Sequence, residues 1–455
     1  MSVTMMSSSF DDLDANEILE KRSQRFRLEK RIFEDDPVVK NDDTFCMGES
    51  SSAENADVGG VLNPGQGNQS INFKRKGVDV FDPSCAGKLF DDVLLHKNLC
   101  ESKPANIMNH PLFHIPCSDL HEVIQRGLLK HSMKNKVIFS HLNKYLFYLT
   151  SCHCSKLLVD ASCDTLVYHL LNTEEGRTPR WIPTKEDLLT VFCNYGASRE
   201  ILESWDTPLM KRSLHSEEGD SIDPRLMNLP LVLRVISLIL MRHKSMCYSV
   251  KELDSLLCII LTASLDKYIM QMHAVETNLE FSKCIKSILS AYPASEWQKE
   301  GKVSQLARAL HCKFQYVWIN DLYFIVNNYI SCPGFGDKLA LSLMYVFVQG
   351  MMCSNGSISH VDHVGVEHIS KIFKVDSLLN IDHHSQYFVL LMVESLVTNL
   401  IFSMNENSKE LKRIRKLLSN LRIKSPHSED MVDYLLVKEL ITRAATIWKL
   451  SVAEL

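Results

Sequence analysis

From about Phe90 to Leu455, apolar residues return every three or four positions, segment after segment. That period fits the 3.6-residue turn of a helix and not the alternation of a half-buried strand. The stretch Tyr248–Lys267 shows it best. Ser249 and Glu252 are spaced for a capping box, in which each side chain satisfies an unpaired backbone donor at a helix start. Leu253, Leu256, Leu257, Ile260 and Leu261 follow at helical spacing. Leu231–Met241, Leu256–Leu265 and Tyr387–Phe402 are apolar nearly all round, which predicts helices buried between neighbours. No alternating pattern of useful length interrupts the series. The expected fold is all-α, a multi-layer or solenoid array whose repeat, if present, is degenerate. Such a chain works by what it touches, which favours a scaffold or adaptor over an enzyme.

The pattern predicts helices near 119–131, 136–150, 156–172, 185–194, 228–243, 250–270, 278–290, 296–310, 316–329, 336–352, 383–404, 408–421 and 428–449. Thr184 and Asp187 are placed to cap the helix that stops at Asn194-Tyr195-Gly196, where glycine suits a left-handed position. Ser295 with Gln298, after Pro293, is a second expected cap, and Asn407 with Glu410 a third. Leu202–Asn228 and Ser354–His384 are expected to be polar loops.

Residues 1–88 have the composition of a disordered acidic and polar tail, and 89–455 that of a single all-helical domain. Ser, Asp, Asn and Gly dominate Asn41–Ser70, too few apolar groups to offset the entropy of ordering. Residues 1–89 hold 16 Asp/Glu against 11 Lys/Arg and carry the whole net charge of −5, so the remainder has 39 of each and is neutral. Any nucleic-acid contact must therefore come from a local patch. Leu13–Phe33 is either a short helix that folds on a partner or a solvated linker. The 14 scattered cysteines, with no secretory signal, fit reduced thiols of the cytosol or nucleus. Leu229–Met241 contains Arg234 and falls short of the roughly twenty residues of a membrane span, so a core helix and no membrane partner are expected.

No residues are arranged for catalysis, and no cofactor or small-molecule substrate is expected. Cys152-His153-Cys154, with Cys163 and His169, has zinc-type residues but matches no standard knuckle spacing. A helix end followed by a buried cysteine on the next helix accounts for it, so no metal site is expected. His360, His363, His368, His383 and His384 lack a His-Glu-x-x-His spacing and are expected to be solvated loop histidines. Cys332-Pro-Gly-Phe-Gly-Asp337 lacks the strand and the further residues of a phosphate cradle. It is expected to be a loop with Asp337 in the first turn of the next helix.

The best functional candidate from the residues is Lys409–Lys424, where seven basic residues face one acid. Leu411, Ile414, Leu418 and Leu421 would form its packing stripe. Lys409, Lys412, Arg413, Arg415, Lys416, Arg422 and Lys424 would be left to grip phosphates or an acidic partner, or to form an ordinary solvated face. Lys74-Arg75-Lys76 is a minimal nuclear-import candidate.

The order of five segments carries a resemblance. These are Ile182-Pro-Thr-Lys-Glu-Asp-Leu-Leu-Thr-Val-Phe-Cys-Asn-Tyr-Gly196, Tyr248-Ser-Val-Lys-Glu-Leu through Ser264-Leu-Asp-Lys267, Asp321-Leu-Tyr-Phe-Ile-Val, Gly336-Asp-Lys-Leu-Ala-Leu-Ser-Leu, and a closing helix at Tyr434–Trp448. Together they resemble the CANIN-domain proteins, localisation factors of the SMC five/six complex, over residues 90–455. The resemblance implies a HEAT-like module similar to the non-SMC regulatory subunit of that complex. It also implies a nuclear adaptor without catalytic residues, working with a companion localisation factor at damaged or replicating chromatin and extrachromosomal DNA. The better-known member has a very long disordered N-terminal region, so contacts made by that region are not carried over. The alternative is a helical-repeat scaffold for another nuclear or cytosolic assembly.

Overall fold

Some helices begin where the chain supplies a capping side chain. In the computed structural model, the described residues are 75–101, 114–132, 136–171, 181–210, 223–243, 247–271, 275–353, 361–401, 408–419 and 431–453. Residues 1–74, with the Leu13–Phe33 island and Lys74, lie outside them, as do Asn407, Leu421, Arg422 and Lys424. The main helices of the first half are α1 (Asp92–Glu101), α2 (Cys117–Gln125), α3 (Lys136–Cys152), α4 (Lys156–Leu171), α5 (Lys185–Asn194), α6 (Leu229–His243) and α7 (Val250–Ser264). Those of the second half are α8 (Val275–Ala291), α9 (Lys302–Phe314), α10 (Ile319–Ile325), α11 (Phe335–Met352), α12 (Val366–Ile372), α13 (His383–Ile401), α14 (Ser408–Ser419) and α15 (Met431–Ala453). Two of the four predicted caps form as capping boxes, Thr184 with Asp187 on α5 and Ser249 with Glu252 on α7. Among the described residues there is no strand, only two isolated bridges. The fold is all-α, as the periodicity predicts.

Packing runs stepwise along the chain. Helices α3 and α4 pack together and on α6, α6 packs on α8, α8 on α11, α11 on α13 and α13 on α15. Each layer therefore covers the next, as in a helical array. Val232, Leu233, Val235 and Ile236 of α6 and Phe281, Cys284, Ile285 and Ile288 of α8 are all at most 1% exposed. Burying one such side chain contributes about 1.5–3 kcal/mol. With the turn Pro224–Asn228 before it, α6 is long and apolar enough to span a membrane by length and composition alone, but in the structure it is a core helix. At the end of α5 there is no room for a side chain. Gly196 follows that helix at φ +101°, in the left-handed conformation expected, and a Cβ there would lie 2.1 Å from the Asp82 carbonyl oxygen.

The sequence placed the body's boundary after residue 88, and the structure moves it earlier. Residues 75–90 form a strap fastened across the helix ends. Val78, Val80 and Phe81 are no more than 3% exposed. The Val78 N–H donates to the Leu265 carbonyl (2.8 Å), and the Lys267 N–H donates back to the Val78 carbonyl (2.7 Å). The Asp82 N–H donates to the Gly196 carbonyl (3.1 Å), and the Asn194 side chain accepts from the N–H groups of Leu89 and Phe90. Gly77 must be glycine: its φ is +67°, and a Cβ would sit 2.5 Å from the Lys267 Cα. The segment reads as tail by composition because its apolar residues are too few to show a period. Partners more than a hundred residues away supply its order.

Asp266 is the strap's main anchor and is fully buried. Its Oδ2 accepts from the N–H groups of Val80 (3.0 Å) and Phe81 (2.9 Å), and its Oδ1 from Tyr268 (2.8 Å). Burial raises its carboxyl to about 6, against the pull of these donors. An acid raised in the folded state contributes stability below its unfolded value near 4, and this is lost as pH rises through 6. The stability gap between the natural chain and Asp266→Asn should therefore widen by about 1 kcal/mol between pH 7 and pH 5. Urea midpoints at the two pH values measure it, and a gap that narrows on acidification would refute the assignment.

Other departures are local. The helix predicted at 296–310 is split into Ala294–Trp297, which has no side-chain cap, and α9. Gln298 ends the first piece instead of capping it. A residue from the expected polar loop does the capping of α9, since Asp362 accepts from the N–H groups of Gly301 and Ser304. That loop also contains α12 and the turn Val375–Leu379, which are too short to show a clear period.

Candidate functional site

The basic helix α14 is held by one buried face. Ile414 is fully buried, Leu417 is packed against the core, and α14 rests on α12 and α15. Glu410 is turned inward to accept from the Ser370 hydroxyl (2.6 Å), a role the sequence assigned to a cap with Asn407. Lys409, Lys412, Arg413 and Lys416 are exposed. Their spacing of three, four and seven residues puts them on one side of the helix, over about 10 Å of its axis. Arg413 approaches Glu410 only loosely, at 3.9 Å. The side chain of Arg415 lies outside the described residues. The structure thus brings four of the seven predicted basic residues into one solvent-facing row.

The described part of the Lys74-Arg75-Lys76 cluster is engaged within the body. The Arg75 guanidinium lies 4.2 Å from the centre of the Phe324 ring, and the Lys76 ammonium 3.9 Å from that of Trp318. Asp321 accepts from the Gly77 N–H beside them (2.8 Å). Cations over aromatic faces gain from the ring quadrupole, so this end of the strap is held by charge as well as by hydrogen bonds.

The expected loop histidines are more engaged than their sequence context suggested. The His368 ring accepts from the Gly365 N–H (2.9 Å), His383 packs edge-on to Tyr434 (5.8 Å), and His384 stands 3.7 Å from Asp433. The glycine-rich segment behaves as expected. Gly334 carries a positive φ of +89°, and Asp337 is in the first turn of α11.

At Cys152-His153-Cys154 the structure separates the residues by role. Cys152 ends α3 and Cys163 is interior to α4, and burial pushes both thiols up to about 12. His169 is buried against Asn143 (2.8 Å). His153 alone turns toward a group the sequence reading missed, formed by Asp92 of α1 with Cys117 and His121 of α2. One ligand-type atom from each of these three lies within 4.8 Å of the other two. Cys117 Sγ is 3.4 Å from His121 Nε2, His153 Nε2 is 3.8 Å from Asp92 Oδ2, and the two imidazoles meet edge to face at 5.4 Å. The available signal was Cys117-x-x-x-His121, a spacing that puts two ligand types on one helix face. Asp92 sits 25 residues before Cys117, too remote for spacing to reveal.

Comparison with known protein families gives a match. The Coiled-coil and Nse Interacting (CANIN) domain aligns with residues 67–312. The span starts ahead of the strap, runs through most of α9, and leaves α14 outside. No curated protein matches the chain. Since the aligned part is more than half of the 455 residues and takes in the strap with the helices it fastens, the chain belongs to the CANIN domain family.

Proposed function

We propose that the protein is a non-enzymatic nuclear adaptor whose helical body docks on Nse subunits of the SMC five/six complex, with a companion factor, to help place that complex on chromatin during the DNA damage response. The observation that carries this reading is the family match, whose description names Nse interaction, over a body whose described residues are all-α. Helical arrays offer long rigid surfaces and suit this work. Tagged protein isolated from nuclear extract should bring down SMC and Nse subunits in stable amounts. Purification without any of them would overturn the proposal and favour a scaffold for another assembly.

Helix α14 gives the adaptor a route to DNA. Lys409, Lys412, Arg413 and Lys416 form a solvent-facing basic row that suits contact with phosphates, and a neutral body leaves binding to such a local patch. Reversing Lys412, Arg413, Arg415 and Lys416 to glutamate should weaken duplex binding and flatten its salt dependence. The log–log slope should fall by about 0.9 for each phosphate that is no longer neutralised. Fluorescence anisotropy at several salt concentrations measures this. Unchanged affinity would leave α14 a solvated face.

A further inference from the structure

We propose that Asp92, Cys117 and His121 form a binding site for one zinc-type divalent cation, with His153 orienting the carboxylate. The site lies at the N-terminal edge of the body and does not depend on the docking role or on α14.

The geometry comes from ordinary helix rules. Cys117 opens α2 directly after Pro116, and His121 stands one turn later on the same face. Asp91 uses its carboxylate on the Leu94 N–H (2.8 Å), which leaves Asp92 in the first turn of α1 to reach across to α2. A tetrahedral ion with these donors holds its ligand atoms roughly 3.2–3.8 Å from one another. The Cys117–His121 separation of 3.4 Å already falls in that range, and all three atoms lie within 4.8 Å, so a small rotation of Asp92 completes the set.

The donor chemistry also fits a cation. Cys117 and the Tyr145 hydroxyl (3.3 Å) both face His121 Nε2, which has one N–H or one lone pair according to its tautomer and so satisfies only one of them. A divalent ion bound by one thiolate and one carboxylate makes a neutral centre, which suits a half-buried position. On binding, Cys117 releases its proton to solvent and Sγ bonds to the metal. Burial keeps the Tyr145 phenol protonated, so it does not serve as a fourth anionic ligand.

The role of His153 follows from its tautomer. Its Nδ1 accepts from the Ser155 N–H (2.9 Å), so in the neutral ring the proton sits on Nε2, the nitrogen facing Asp92. The Nε2–H therefore faces the carboxylate, 3.8 Å away, and its dipole favours the orientation that carboxylate needs. Three protein ligands leave the fourth position to water.

Cobalt(II), added alone to the reduced, metal-stripped full chain, reports on the site through its thiolate charge-transfer band. About one equivalent should bind, and zinc should bleach the band. Cys117→Ser and His121→Ala should abolish the band, Cys154→Ser should leave it intact, and His153→Ala should weaken affinity about 10–100-fold. A readout on the natural chain guards against variants that fail to fold. Zinc should slow alkylation of Cys117 by about tenfold or more, mapped by mass spectrometry, while exposed Cys85 and Cys154 react as before. Cobalt that binds without a thiolate band, a band that survives Cys117→Ser, or equal Cys117 alkylation with and without zinc would each overturn the proposal.

Discussion

Replacing Asp266 by alanine should lower the stability of the body by about 4 kcal/mol and release the strap. The side chain is fully buried and is the acceptor for the N–H groups of Val80, Phe81 and Tyr268, with Ile269 at the edge of range at 3.4 Å. Alanine removes the acceptor and leaves the donors in a space too dry to replace it, at about 1–3 kcal/mol for each donor left unpaired. Two of these donors belong to the strap and two to the turn after α7, so a single change loosens both partners. Phe81 packs edge-on against Phe192 (6.0 Å) and Tyr195 (6.2 Å), so its release also opens a hydrophobic slot over α5. Chymotrypsin should cut after Phe81 in the variant and spare the natural chain. Urea denaturation gives the magnitude, and a loss below about 1 kcal/mol with Phe81 still protected would show that the strap is held elsewhere.

The contrast between strap and helices shows where sequence reading works. Thr184/Asp187 and Ser249/Glu252 act over three residues, and helical periodicity acts over three or four, so both are written within a short window. Those local preferences decide the all-α class and most helix positions. The strap's order comes instead from Leu265, Asp266 and Asn194, and the cap of α9 comes from Asp362, about sixty residues on. Neither has a local signature. The same limit applies to function. Of the expected packing stripe of α14, Ile414 was legible because it lies at helical spacing on one helix, and it is buried. The Asp92, Cys117 and His121 group needed two helices to be brought together. Cys152-His153-Cys154 stands out in the sequence because its residues are adjacent, yet only His153 points to the group.

Lys313 tests how far a single buried charge organises the middle of the array. It is fully buried in the last turn of α9, and its ammonium donates to the carbonyls of Ile201 and Ser204, both at 2.6 Å. These carbonyls close the short helix Arg199–Glu203, whose last C=O groups have no partner along the helix. The Lys313 carbonyl in turn accepts from the Leu209 N–H (2.8 Å), so one residue pins residues 201–209 to α9 through both backbone and side chain. Burial lowers its pKa, which means the charged form bears a desolvation cost that the two carbonyls offset. Lys313→Ala should lower stability by about 3–4 kcal/mol, from two orphaned acceptors and the cavity left by the stem. Lys313→Met should lose only about 1–2 kcal/mol, because the thioether fills the stem's volume and removes the desolvation cost while leaving the carbonyls unpaired. The ordering separates the two contributions. Equal losses would assign the effect to the hydrogen bonds alone, and an alanine variant within about 1 kcal/mol of the natural chain would mean that water reaches the carbonyls and the charge is dispensable. Hydrogen exchange at Leu209 should quicken in the alanine variant more than in the methionine one, since methionine keeps α9 seated and the 313 carbonyl in place.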